Sequence, residues 1–487
     1  MISSARGVLD DRGPASGRAR RAGWYVALTL ASAALAAAFG RWAPTVTDDG
    51  RLYLELAGNL LHTGRYVRWI AGGWHASTAR LPGYPLLLAA LYHFAPFARM
   101  GPLVALQWLL LLGTAACAAW LARLIAPPTA RPGTVAGAAM AAFGLTALCP
   151  FLAMYAAAVL TEVPATFCTM LALCCGIAAL RAPRRQIGWW AGCGAALAAG
   201  IQIRPDTGLV LAVVSLPLLA ALRRGRRENW IRLIVLYAIA LLPVGIWTLR
   251  NWVELRVFRP LVTAEATEVG EAQHPGFDRW AKTWLAGYRG VENVLDNVPD
   301  GPIEVAALPP RALGQGAARA RTLSLIAAYN RNFELTPALD AQFGRLAAER
   351  IHRRPARYYL LLPLSRMISL WFSPRVEILP VDDRWWPPAG PWQNDRRDFL
   401  FTVGYLLLNA AYLLLALYGL FKARPRFLAL LAGLVAARTV ALGAYISCEP
   451  RYVLELYPLV LVWAAWGAAT LRQSPPTSVV AVGALDG

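Results

Sequence analysis

About ten apolar runs, each near the length that crosses the hydrocarbon core of a bilayer, dominate this chain and leave it few folds to choose from. They lie at 22–40, 102–125, 134–158, 163–180, 188–203, 207–222, 230–250, 399–421, 427–446 and 451–471. With 57% hydrophobic residues, the chain is too apolar for a soluble enzyme of its length. The expected fold class is an all-α polytopic membrane protein. The formal net charge of +20 does not signal a nucleic-acid partner, because the arginines fall in short clusters between apolar runs instead of along one face.

Those clusters set the orientation. Arg18, Arg20 and Arg21 precede the first run; Arg123 and Arg131, then Arg181, Arg184 and Arg185, then Arg223, Arg224, Arg226 and Arg227, and finally Lys422, Arg424 and Arg426 occupy alternate loops. Under the positive-inside rule those loops face the cytoplasm. The first run is longer than a signal-peptide core and is read as a retained anchor. Two further apolar stretches, 82–97 and 358–372, break this parity if counted as crossings, so they are read as juxtamembrane or interfacial helices. The chain then divides into a cytoplasmic tail (1–21) and seven spans within 22–250, with an outer loop at 41–101. A large outer segment (251–398), three spans within 399–472 and a second tail (473–487) follow. Both tails are expected to be disordered. In the large segment, helices are expected around 317–331 and 338–352, and Trp385, Trp386 and Trp392 are expected at headgroup level. The Ala- and Arg-rich composition points to a GC-rich bacterial genome and hence to an inner membrane with a periplasmic outer face.

Cofactor chemistry leaves little trace. Cys117, Cys149, Cys168, Cys174, Cys175, Cys193 and Cys448 lie almost entirely within apolar runs, where packing explains them better than a disulfide framework. His62, His75, His93, His274 and His352 form no metal-binding spacing, and no phosphate-cradling glycine loop is present. A tightly bound zinc and a nucleotide substrate are not indicated; a divalent cation stays open.

The unusual polar residues gather at predicted outer ends. Asp48 and Asp49 precede Leu52, Tyr53, Leu56, Ala57, Leu60 and Leu61, apolar positions at helical spacing, so a surface helix begins at the acids. Its dipole favours an ionised carboxylate there, and either aspartate can equally serve as a simple cap. A neighbouring carboxylate would raise one aspartate's pKa, opposing the helix terminus. Glu162 sits in a short turn between spans, Arg204 and Asp206 in the next, Arg250 ends the seventh, and Glu449-Pro450-Arg451-Tyr452 opens the last. Charge at span ends can also mean nothing more than contact with water. Arg438 lies deeper, ~18 Å into its span at ~1.5 Å per residue; an ion pair with Glu455 and a ligand contact are both open. Arginine suits phosphate because its planar fork offers paired hydrogen bonds.

Four phrases in order carry a resemblance: Asp49-x-x-x-Tyr53 with Leu56-Ala57-x-Asn59-Leu60-Leu61-x-x-Gly64; Arg80-Leu81-Pro82-Gly83-Tyr84-Pro85; Thr161-Glu162-Val163-Pro164; and Glu449-Pro450-Arg451-Tyr452 ahead of Pro458. The chain resembles the GT-C membrane glycosyltransferases, within them the superfamily of protein O-mannosyltransferases and lipid A aminoarabinose transferases. The resemblance implies a GT-C fold and inverting transfer of a sugar from a polyprenyl-phosphate donor to a hydroxyl on a lipid, glycan or protein acceptor at the outer face. It implies Asp49 as the base, with Asp48 as its close alternative, and Glu162 as a second functional acid. Arg80, Arg204 and Arg451, with Arg438, are the candidates for the donor phosphate, and Tyr53, Tyr84 and Tyr452 for substrate positioning. This chain departs from many relatives in carrying Gly50 where they carry Glu or Ser.

Two other readings compete. A lipid-linked sugar flippase predicts inverted repeats and helices interrupted near the midplane, and no repeat is visible. An O-antigen ligase or polymerase would rely on Arg and His in the late outer segment, where only His274 and His352 qualify. A non-catalytic scaffold accounts for the spans but not for the four ordered phrases.

Overall fold

A computed structural model describes residues 14–70, 72–182, 186–224, 227–263, 267–295, 297–299 and 301–472. Among them, seven helices are long and apolar enough to cross a membrane: Ala19–Trp42, Met100–Leu124, Glu162–Arg181, Pro205–Arg223, Asn229–Leu255, Arg396–Ala423 and Pro450–Leu471. Pro132–Ala147 and Pro150–Ala157 make an eighth if their 46° bend falls within one span. That bend comes where Pro150, without an N–H to continue the ladder, restarts the helix. The all-α polytopic architecture is therefore as expected, but the count of about ten is not reached. The two remaining predicted spans are the helices Gln186–Ile203 and Leu428–Ala444, of 18 and 17 residues.

Apolar packing holds the bundle together with small residues at its crossings. Gly419 and Gly467 bring the Arg396–Ala423 and Tyr457–Leu471 helices so close that a Cβ on either would strike backbone of the other. Such contact suits helices that gain no solvent-exclusion energy from associating in lipid. A second core, built on Phe277, Trp280, Trp284, Tyr329 and Phe343, organises the helices Pro275–Lys282, Gly316–Tyr329 and Pro337–Arg353. Leu442, Cys448 and Val453 belong to the same cluster, so this layer is seated on the bundle. Arg366 helps to lock it there: buried on the Leu362–Trp371 helix, it donates to Leu285 O at 3.0 Å and Gly443 O at 2.8 Å.

The 41–101 segment carries the detail that positions the site. The amphipathic helix is Asp48–Thr63, closed by Gly64 in the left-handed region (φ 67°), whose N–H bonds Leu60 O at 3.0 Å. The chain then makes a feature the sequence did not suggest, an antiparallel hairpin of β1 (Val67–Ile70) and β2 (Gly73–Ala76). Asn59 Nδ2 donates to Val67 O at 2.8 Å and ties the hairpin to the helix. Its far end returns Arg80 toward the helix start and leads into the Gly83–Phe94 helix. Tyr53, Ala57, Tyr84, Leu88 and Leu103 bury the shared face. Gly83 is demanded by contact, since a Cβ there would lie 2.5 Å from Gln202 O.

The first helix starts at Pro14, so residues 14–21 are helical where a disordered tail was expected. Residues 1–13 and 473–487, and the loop arginines Arg184, Arg185 and Arg226, lie outside the described residues.

Candidate active site

The two adjacent aspartates differ completely in environment. Asp48 is 94% exposed and pairs only with Arg51 Nη1, one helical turn on, at 2.7 Å. Asp49 turns inward, with Oδ1 2.5 Å from Arg80 Nη2 and Oδ2 3.1 Å from Arg451 Nη2. Neither caps the helix, contrary to the capping role open to them in sequence: the Thr47 hydroxyl accepts from Gly50 N–H at 3.1 Å. Burial alone would raise the Asp49 carboxyl, but the guanidinium groups of Arg451 and Arg80 outweigh it and hold that carboxyl below the usual carboxylate range. Gly50 explains its own departure from the pattern, because a Cβ there would lie 2.9 Å from Val159 O. The helix start thus abuts the segment that leads into Glu162.

Glu162 is the first residue of the Glu162–Arg181 helix and is buried. Its Oε1 accepts from Arg204 Nη1 at 3.0 Å and lies 3.8 Å from Arg451 Nε, while Oε2 is buried with no hydrogen-bond partner among the described residues. Arg204 also reaches Thr161 Oγ1 at 3.3 Å and Glu455 Oε1 at 2.8 Å. Arg451 Nε lies 2.5 Å from Glu449 Oε2, whose other oxygen accepts from the Tyr452 hydroxyl at 2.5 Å. The Tyr452 ring receives both Arg204 and Arg451, at 5.2 and 5.5 Å from its centroid. No hydrogen bond engages Arg204 Nη2 or Arg451 Nη1 among the described residues.

Arg438 belongs to a deeper knot, joined to this cluster through the Arg204–Glu455 contact. It is 2% exposed, as Glu455 is 1% exposed, and its guanidinium reaches Glu455 at 2.9 Å, Asp206 at 2.5 Å and Tyr452 O at 3.1 Å. Thr169 and Thr207 hydroxyls add to Glu455 Oε2 at 3.3 and 3.4 Å. With its donors engaged, Arg438 fits the ion-pair alternative and not a phosphate contact.

Of the residues singled out from sequence, Asp49, Arg80, Glu162, Arg204, Arg451 and Tyr452 come together; Asp48 points away. Tyr53 and Tyr84 meet edge to face at 5.0 Å inside the packed face, and Arg80 lies over Tyr53 at 5.7 Å, so they support the cluster from behind. Arg250 goes elsewhere, donating to Ser77 O at 2.8 Å and Tyr66 O at 2.7 Å. Glu449 stands in one of the four phrases but was given no role there; its hold on Arg451 and Tyr452 shows only in three dimensions. Glu377 was not singled out, since nothing distinguishes one more acid in a polar segment. Among the described residues no three His, Cys, Asp or Glu side chains group as metal ligands.

Residues 106–247 match the family described as dolichyl-phosphate-mannose-protein mannosyltransferase. That stretch includes Glu162, Arg204 and Asp206 but neither Asp49, Arg80 nor Arg451. No curated protein matches the chain. Among solved structures, the Archaeoglobus fulgidus oligosaccharyltransferase in the apo form overlays with a TM-score of 0.46 at 12% identity, over 92% of this chain and 50% of that one. ArnT from Cupriavidus metallidurans gives 0.37 at 16% identity in the apo state, over 92% of this chain and 77% of that one. Bound to undecaprenyl phosphate, ArnT gives 0.36 at 17% identity, over 92% and 78%. This chain spans about half the length of the archaeal enzyme, and none of these overlays is close enough to draw residue correspondences. The likeness to membrane glycosyltransferases therefore stands on the family match: across residues 106–247 this chain is similar to the dolichyl-phosphate-mannose-protein mannosyltransferases.

Proposed function

We propose that this protein is an inverting glycosyltransferase that moves a sugar from a polyprenyl-phosphate donor to a hydroxyl acceptor at the outer face of a bacterial inner membrane, with Asp49 as general base. The observation that carries the reading is the Asp49 carboxylate bridging Arg80 and Arg451. A hydroxyl attacking an anomeric carbon must lose its proton to a group within hydrogen-bond reach. The departing phosphate needs fixed positive charge. The Asp49 cluster supplies both requirements at adjacent atoms.

In this reading the donor phosphate enters beside Arg80, Arg204 and Arg451 and shares the charge that Asp49 and the neighbouring glutamates now hold. The acceptor oxygen attacks the anomeric carbon from the face opposite the phosphate as Asp49 takes its proton. The bond from that carbon to the phosphate oxygen breaks, and polyprenyl phosphate leaves with its charge on the arginines. Glu162, fixed by Arg204, places that guanidinium, and its unpartnered Oε2 is available to a substrate hydroxyl. Arg438, Glu455 and Asp206 hold the floor of the site.

The test is sugar transfer in proteoliposomes from a panel of radiolabelled polyprenyl-phosphate sugars. Wild type and Asp48→Asn should consume one of the donors, whereas Asp49→Asn, equally well folded, should not. Lipid that crosses the bilayer with no donor consumed would replace the transferase with the flippase.

A further inference from the structure

Beside the Asp49 helix lies a crevice of about 370 Å³ that the reaction as described does not use. One wall is the connection that follows the first span, with Trp42, Thr45 and Thr47; the other is the segment that begins at Glu377 and Ile378. Both walls are fixed, and both run into the site. Thr47 lines the crevice and also caps the helix on which Asp49 sits. Thr45 clamps the walls to each other: its hydroxyl reaches Ile378 O at 3.2 Å, and its backbone pairs with Ala157 O and Val159 N–H at 3.0 Å each. Two residues before the opposite wall, buried Arg375 donates to Pro450 O at 3.0 Å, immediately before Arg451. Glu377 Oε1 accepts from the Tyr155 hydroxyl at 2.8 Å. The same carboxyl lines the crevice.

Resting on the transferase reading, we propose that this crevice is the acceptor subsite and that it receives a sugar ring. Its volume is at the small end for ligand sites, the scale of a single sugar unit. A pyranose offers an apolar C–H face and a rim of hydroxyls. The half-exposed indole of Trp42 at the mouth matches the first. The partly exposed Glu377 carboxyl on the facing wall matches the second. Burial pushes the Glu377 carboxyl up, against the pull of Arg375.

The seven native cysteines are buried, so a new one can report on the crevice. Ile378→Cys protein in nanodiscs would be labelled with a maleimide in the presence of octyl β-glucoside, and separately of tetraethylene glycol monooctyl ether, which shares the tail but has no sugar. The glucoside should slow labelling severalfold and the ether should not, with protection lost when Glu377→Gln is added. Pro380→Cys provides a second reporter should Ile378→Cys fold poorly. Equal protection by the two amphiphiles, or none by the glucoside, overturns the sugar subsite. Because the readout needs no donor, protection by glucoside in a protein that consumes no polyprenyl-phosphate sugar would leave the crevice standing while removing the transferase.

Discussion

Two arginines at the end of the bundle, Arg438 and Arg451, sit in charged clusters only a few residues apart, yet the clusters are built to different ends. Around Arg438 the guanidinium itself is saturated: its three nitrogens are engaged by Glu455, Asp206 and Tyr452 O, and two threonine hydroxyls add to Glu455. Around Arg451 the contacts are incomplete. Its own Nη1 has no hydrogen bond among the described residues, whereas each nitrogen of Arg438 has one. A saturated knot resists change, and an unsaturated one has room for a ligand. The difference separates arginines that build the protein from those that would meet a substrate.

The sharpest way to break the comparison is to truncate each arginine. Arg438→Ala leaves Glu455, 1% exposed, with Arg204 as its cation and should lower stability by about 3–5 kcal/mol, read from thermal unfolding in nanodiscs. Arg451→Ala should cost less stability than Arg438→Ala, because Asp49 and Glu162 keep Arg80 and Arg204, but should reduce sugar transfer by about 10²–10³-fold, the scale of losing one donor to developing negative charge. Arg451→Lys keeps the charge without the planar fork and should recover only part of that loss in the same transfer assay. Asp48→Asn should change neither quantity measurably, since a solvent-exposed pair such as Asp48–Arg51 contributes ~0–1 kcal/mol. If Arg451→Ala instead unfolds the protein as Arg438→Ala does, the two clusters are one structural network.

What could be read from sequence followed from chemistry that is local along the chain. The apolar runs give the helices, because each carries its own hydrogen bonds, and the spacing of Leu52, Leu56 and Leu60 gives the amphipathic helix. The charges at run ends give most of the cluster for the same reason: a charge beside an apolar run marks the end of a span. Pairing was not legible. Asp49 and Arg451 are joined across nearly the whole chain, and the Gly50–Val159 contact that seats the Asp49 helix against the segment leading into Glu162 is equally remote in sequence. The β1–β2 hairpin escaped because its strands are four residues long and flank a short turn, with little periodicity to detect. Thr47 outcompeted both aspartates as cap, which is a matter of one residue's register.

The central claim is that the donor phosphate takes over the arginines that now hold Asp49 in its charged form. With Arg80 and Arg451 engaged by Asp49, the free enzyme should lose activity on the acid side only below the ordinary aspartate value of about 3.9. A bound phosphate adds negative charge and shares those guanidiniums, so protonated Asp49 becomes relatively more favourable and its apparent pKa must rise. The most direct measurement is the acid limb of sugar transfer under two conditions, as kcat/KM for the donor and as kcat at saturating donor, which report the free and the donor-bound enzyme. The account predicts that the kcat limb lies at higher pH than the kcat/KM limb. Coincident limbs, or a kcat limb at lower pH, would contradict it.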